Sequence, residues 1–358
     1  MLDKPVCDHW LDRTSRFCFT LSILIRNWLA QLRHPVKGRE VGPLKNVVKS
    51  VTAVGSSEHI VQTGLGSADG IRLPLMGRDG VFIGRPVSRE DLSFTHSIFV
   101  QCFLPLRPLA VQDNQHWEVR HGRASLSIEA GRLADPRLTG RWEAREVPAG
   151  PKARLLFAYI NDFAIRHRTP VIDLGKSLRR FMESNRVPIG GPNGREIGRQ
   201  LKNIASARIV LGIWDDARVS TRQSRVAAGI DFWRDGSSGQ STFWEPEMQL
   251  APEYFEELRK HRVPIYFPGL VKLQANPRAM DVFCWLVYRM RSVAFPVKIP
   301  YAALHPVFGG GIKLLKHFKA EFRKTLMAVH DSYPQARVEL DEDHLTLRRS
   351  PSLITREI

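Results

Sequence analysis

Two stretches of the chain place cationic side chains on one side of a helical repeat and apolar ones on the other. In residues 195–206, Arg195, Arg199, Lys202 and Ser206 share a face, opposite Ile197, Leu201 and Ile204. In residues 312–330, Lys313, Lys316, Arg323 and Lys324, with His317 nearby, project away from a stripe of Leu315, Phe318, Phe322, Leu326 and Val329. At about 100° per residue such helices bury the stripe and hold Lys and Arg outward. Outward cations suit phosphate groups, and an Arg can also pair with a guanine edge through two hydrogen bonds. Lys319 lies closer to the apolar stripe and is left out of this set. A third cluster, Arg218, Arg222 and Arg225, falls between two strand-like runs and is expected at a hairpin tip, on a phosphate backbone or in a minor groove. Each pattern alone also fits a solvated helix face or a soluble hairpin. Their order in the chain gives them weight.

The elements that must position these residues repeat. Helical periods at 153–166, 177–184 and 195–206 are followed by strands at 208–214 and 226–233, with a further strand within 242–250. Helical periods at 276–292, 300–307 and 312–330 are followed by strands at 336–340 and 344–348, around the acidic turn Asp341, Glu342, Asp343. Helix, turn, helix and a following β-hairpin is the order of a winged-helix unit, whose third helix enters the major groove. The expected fold is therefore α+β, with two tandem winged-helix domains at 146–250 and 251–349. Pro148-Ala149-Gly150-Pro151 marks the boundary before the first. A β-rich lead-in is expected at 76–145, with strands at 97–104, 117–120 and 124–129. Residues 1–75 read as a weakly ordered extension with an amphipathic helix at 10–32, and 350–358 as a tail.

Charge agrees with a polyanionic partner. Lys+Arg 53 against Asp+Glu 36 leaves +17, and residues 151–250 and 251–358 each carry +6 of it. Either nucleic acid or an acidic membrane surface fits that balance. Cys7, Cys18, Cys102 and Cys284 are far apart, so neither a zinc site nor a disulfide framework is indicated. The apolar run 17–25 ends at Arg26, short of the about 20 residues that a bilayer span needs. No phosphate-binding loop ending in Lys-Ser/Thr, no HExxH, no HxH pair and no GxSxG occurs. The glycine-rich run 64–70 lacks dinucleotide-binding spacing. His167 reads as a surface residue, and the carboxylate pairs lie in turns where Asp is favoured. No catalytic residue, metal ligand or cofactor is expected.

From about Ser97 to Ile354 the sequence resembles the plasmid-encoded RepA-type replication initiator proteins. Residues 147–156 resemble the family's P-x-G-x-x-x-R-L-L run, and Asp173-Leu174-Gly175-Lys176-Ser177-Leu178 with Phe181-Met182 its LG-x-SL-x-x-F motif. Tyr254-Phe255-Glu256-Glu257, the segments 279–288, 299–309 and 318–322, Tyr333-Pro334 and 345–350 follow in family order. The resemblance implies a cytoplasmic bacterial protein that binds double-stranded repeats at a plasmid origin, helps open the duplex and recruits host replication proteins. Related initiators interconvert between dimer and monomer, so a homodimer is expected, and no membrane. Residues 1–96 have no counterpart, and Met76 is a candidate internal start. A transcriptional repressor of the same fold, an origin-nicking or priming enzyme, and a membrane-surface protein using residues 10–32 stay open as alternatives.

Overall fold

The central element is a helix that is apolar nearly all round. Helix α1, Gly150–His167, buries Leu155, Leu156, Phe157, Tyr159 and Ile160 on several faces, the pattern of a helix enclosed by its neighbours. Gly150 opens it at φ +76°, Pro151 occupies the first turn, and Arg168 closes it in the left-handed region at φ 53°. The structure, a computed structural model, describes residues 71–72, 87–134, 140–184, 187–188, 190–214, 219–231 and 246–354. The helix expected at 10–32, the glycine-rich run 64–70 and Arg218 lie outside the described residues. Residues 69–358 cluster into one unit.

After α1 come strand β7, Val171–Asp173, helix α2, Lys176–Ser184, and helix α3, Gly191–Ser206. Two later strands, β10, Ala227–Ile230, and β11, Glu247–Leu250, complete this half. β11 pairs antiparallel with β7 (Val171 against Gln249) and β10 pairs with β11. The second half repeats the connectivity. Helix α6, Pro277–Met290, leads to β13, Val297–Pro300, then α7, Tyr301–Phe308, α8, Leu315–His330, β14, Val338–Leu340, and β15, His344–Leu347. Here β15 pairs with β13 and β14 pairs with β15. Strand β1, Ile71–Arg72, adds to the outer edge of β14.

The strands expected directly after α3 belong elsewhere. β8, Arg208–Trp214, and β9, Val219–Arg225, join β3, His116–His121, and β4, Ala124–Glu129, in a sheet of order β3-β4-β8-β9. The lead-in therefore borrows a hairpin from the first half. Six consecutive β4 residues are paired with β8, from Ala124 against Ile213 to Glu129 against Arg208. The strand expected at 226–233 is present as β10 but pairs with β11, and the partner of β8 is 219–225, which places Arg222 and Arg225 within a strand rather than at a hairpin tip. The strand expected at 97–104 is also absent. β2 is Leu92–His96, and a 3₁₀ turn follows at Ser97–Val100 because the His96 ring accepts a hydrogen bond from the Ile98 N–H at 3.1 Å. A two-stranded ribbon, β5 (Arg132–Ala134) with β6 (Trp142–Ala144), lies before α1.

Helix α4, Pro252–His261, strand β12, Arg262–Tyr266, and helix α5, Phe267–Lys272, connect the halves. β12 pairs with β2 along its whole length, from Arg262 against His96 to Tyr266 against Leu92. A buried ion pair joins α1 to α6. The Arg154 guanidinium gives two bonds to the Asp281 carboxylate, both 2.7 Å, and donates to the carbonyls of Leu104 (2.7 Å), Pro105 (3.1 Å) and Gly150 (2.8 Å). All five guanidinium donors are used, which is what a buried Arg requires. Nearby, Tyr254 donates to Asn161 and Asn161 to Thr95, a buried chain linking α4, α1 and β2.

Candidate nucleic-acid interface

The third helix of each half carries exposed positive charge, a single arginine on α3 and several groups at α8, though not all those expected. On α3, Arg195 is exposed. Arg199 is not aimed outward: it makes two 2.9 Å hydrogen bonds to Glu196 and a further one to Glu146, with its side chain 32% exposed. Hydrogen bonding to Glu196, opposed by burial, raises its pKa. Burial pushes the Glu196 carboxyl up, but hydrogen bonds from Arg199 and Gln200 and the charges of Arg199 and Lys152 outweigh it and hold Glu196 below its ordinary value. The cause is local. Loop 145–149 lies against α3: Ala149 N–H donates to Gln200 at 3.0 Å and Arg145 donates to Asn203 at 3.3 Å, which brings Glu146 within reach of Arg199. Lys202 is half-buried. The Ser206 hydroxyl donates to the Asn203 carbonyl at 3.1 Å, within its own helix.

Arg222 and Arg225 are exposed on β9. They do not sit on the hairpin that corresponds by topology to β14–β15. That place is taken by β10–β11, which fall within the strands expected at 226–233 and 242–250.

On α8 the inner face is as expected: Phe318, Phe322, Leu326 and Val329 are buried, joined by Thr325. The helix starts at Leu315 rather than 312. Gly310 and Gly311 have φ +52° and +88°, and Leu314 is extended. A Cβ on Gly310 would lie 2.2 Å from the Leu106 Cδ1, so glycine is required there by both backbone and space. Arg278 holds this turn from α6, donating to Phe308 O at 2.8 Å and Gly309 O at 3.1 Å.

Lys313, Lys316, His317 and Lys324 are exposed, with Lys324 paired to Glu321 at 2.9 Å. Arg323 departs from its expected place. It is half-buried and donates to the Asp341 carbonyl at 3.1 Å, while Lys319 meets Asp343 at 3.0 Å. The acidic turn between β14 and β15 thus draws both cations to one flank of α8. The turn is pinned by Asp341, which accepts from the N–H groups of Asp343 (2.9 Å) and His344 (2.6 Å). Burial pushes Asp341 up, but these bonds and His344 together outweigh it and hold Asp341 below the ordinary value. Leu315, assigned above to the buried stripe, is 36% exposed, and Leu314 is 59% exposed. Nothing in the periodicity flags these two, because it does not show how far a helix end stands from its body.

Among the described residues, no three His, Cys, Asp or Glu side chains are grouped to hold a metal ion. Cys102 and Cys284 are buried, and burial pushes both thiols up, that of Cys102 to about 12, so neither is a nucleophile at neutral pH. No described helix is long and apolar enough to cross a membrane.

Residues 147–296, from the loop against α3 to the residue before β13, match the family model for plasmid-encoded RepA protein. Over these residues the chain is similar to the RepA family. The matched RepA segment contains both Arg154 and Asp281, so the buried pair that joins the halves lies wholly within it. No curated protein matches the chain. A crystal structure of selenomethionine derivatives of domains 2 and 3 of RctB is similar at TM-score 0.47, with 11% identity over 73% of this chain and 97% of that one. A second RctB structure, also of domains 2 and 3, gives TM-score 0.42, with 13% identity over 64% of this chain and 82% of that one.

Proposed function

We propose that the chain initiates plasmid replication by binding double-stranded origin repeats through two winged-helix units, approximately 146–250 and 251–349. The observation that carries this reading is the repeated order helix, strand, helix, helix, strand, strand, with the first strand of each half paired to its last. In each half the third helix buries one face and holds cations on the other. Arg195 on α3, and Lys313, Lys316, His317 and Lys324 at α8, are the groups placed for phosphates and base edges. Lys202 and Ser206 flank Arg195, while Arg199 and Arg323 position the helices from within. Arg222 and Arg225 offer a further phosphate contact from β9. With two helices on one body, binding of one raises the effective concentration of the other. Strain in the bound duplex would assist opening of an adjacent A·T-rich segment. The chain acts without covalent chemistry of its own, in the bacterial cytoplasm, as an interconverting dimer and monomer that recruits host replication proteins.

Footprinting by the full chain on its plasmid's repeat region, across a salt series, tests the binding. Protection of repeats that weakens steeply with salt is expected, since each neutralised phosphate adds about 0.9 to the slope. Absence of repeat protection at low salt rejects the reading. A plasmid that persists without the protein would favour a repressor, and nicking of supercoiled origin DNA with Mg²⁺ would favour an enzyme.

A further inference from the structure

The start of α8 and the two residues leading into it stand clear of the body. All five residues from Lys313 to His317 are exposed, including Leu314 at 59% and Leu315 at 36%. By helical period Leu315 belongs with Phe318, Phe322 and Leu326, yet those three are buried and it is not. A helix end exposed on all sides matches the dimensions of a major groove, about 12 Å wide and 8.5 Å deep. In helix-turn-helix docking the residues at this end are those that meet base edges. The chemistry at this end is divided. Lys313, Lys316 and His317 suit phosphates and acceptor atoms, whereas two leucine side chains offer no hydrogen bond and gain only by covering an apolar group. In the major groove the apolar group is the thymine C5 methyl.

We propose that Leu314 and Leu315 are specificity-determining residues that read thymine methyl groups in the segment bound by α8. The proposal rests on the DNA-binding reading above and adds which base is read and by which side chains. A protein surface as the partner of these leucines is the competing occupant. The cationic rim favours DNA, since the one acidic side chain on α8, Glu321, is itself paired with Lys324.

The test uses the full chain and a randomised duplex pool. Sequences enriched by binding are resynthesised with each thymine replaced in turn by deoxyuridine, which removes the methyl and leaves the hydrogen-bonding edge unchanged. At one or two positions the wild-type protein should bind about fourfold more weakly per methyl lost, the change expected for one buried methyl-sized group. Leu314→Ala or Leu315→Ala should bind the thymine and uracil duplexes equally at those positions. Lys316→Ala should weaken both duplexes alike. Equal binding of thymine and uracil duplexes by the wild-type protein at every position overturns the proposal, as does retained uracil sensitivity in both leucine variants. If no sequence is enriched at all, the DNA-recognition reading fails instead. The comparison of duplexes on the wild-type protein does not depend on how any variant folds.

Discussion

At the scale of single residues, the charged groups divide into those that hold the fold and those that face outward, and the two sets respond differently to mutation. Asp281→Asn leaves the Arg154 guanidinium buried beside a neutral amide. Removing one partner of a buried pair costs about 3–5 kcal/mol, so a clear drop in the urea midpoint is expected. Outward cations should act on binding alone. Lys316→Ala and Arg195→Ala should each reduce the slope of log affinity against log salt by about 1, with unchanged thermal midpoints. Arg199→Ala should do the reverse. Its bonds to Glu196 and Glu146 are internal, so its removal should lower the melting temperature and leave the salt slope nearly unaltered. Equal salt slopes for Lys316→Ala and Arg199→Ala would refute this division.

At the scale of elements, each third helix is set by the segment packed beside it. For α3 that segment is loop 145–149, and the Glu196 carboxylate is the titrating group in the contact. Its folded pKa lies below the value of 4.5 that the unfolded chain provides. The contact therefore contributes stability that is present above about pH 4.5 and is lost as pH falls through the lower folded value. Glu196→Gln should flatten that part of the acid limb in stability measured by urea titration at successive pH values. For α8 the setting element is the glycine turn. Gly311→Ala meets only backbone strain, since nothing lies within 4 Å of its added Cβ. Gly310→Ala meets the same strain and Leu106 as well. Gly310→Ala should be the more destabilising of the two, with Gly311→Ala costing about 1 kcal/mol, and circular dichroism melts of the pair check the order.

At the scale of the whole molecule, the two halves are joined too closely to act as separate beads. α1 of the first half is tied to α6 of the second through Arg154 and Asp281, and β2 is paired along its length with β12. Hydrogen exchange should give the slowest amides of α1 and α6 the same opening free energy, because neither opens without exposing the shared core. A difference of several kcal/mol between them would indicate independent units. A rigid connection also holds α3 and α8 at a fixed separation, so in the proposed DNA-binding mode both would meet one duplex at a set spacing. Inserting five base pairs between the two protected segments should then cost more affinity than inserting ten, which restores the helical face.

Periodicity is a local property, and what it reports was legible in the residues. Strand β4 has the bounds that its pattern predicts, and the repeated order of helices with a closing strand pair follows from hydrophobic spacing and turn residues. The buried faces of α3 and α8 follow from the same spacing. Pairing and exposure depend on what lies across the molecule. The β8 sequence alternates equally well whether its neighbour is β7 or β4, and only the folded chain places it on β4. The cationic faces likewise could not show that Glu146 claims Arg199, that the 341–343 turn claims Arg323, or that Leu314 and Leu315 stand outside the core. The residues that carry the family resemblance did contain Arg154 and Asp281, yet 127 positions separate them. Their meeting is a fact of packing: burying a guanidinium requires a carboxylate at that one place, and no local pattern along the chain names its partner.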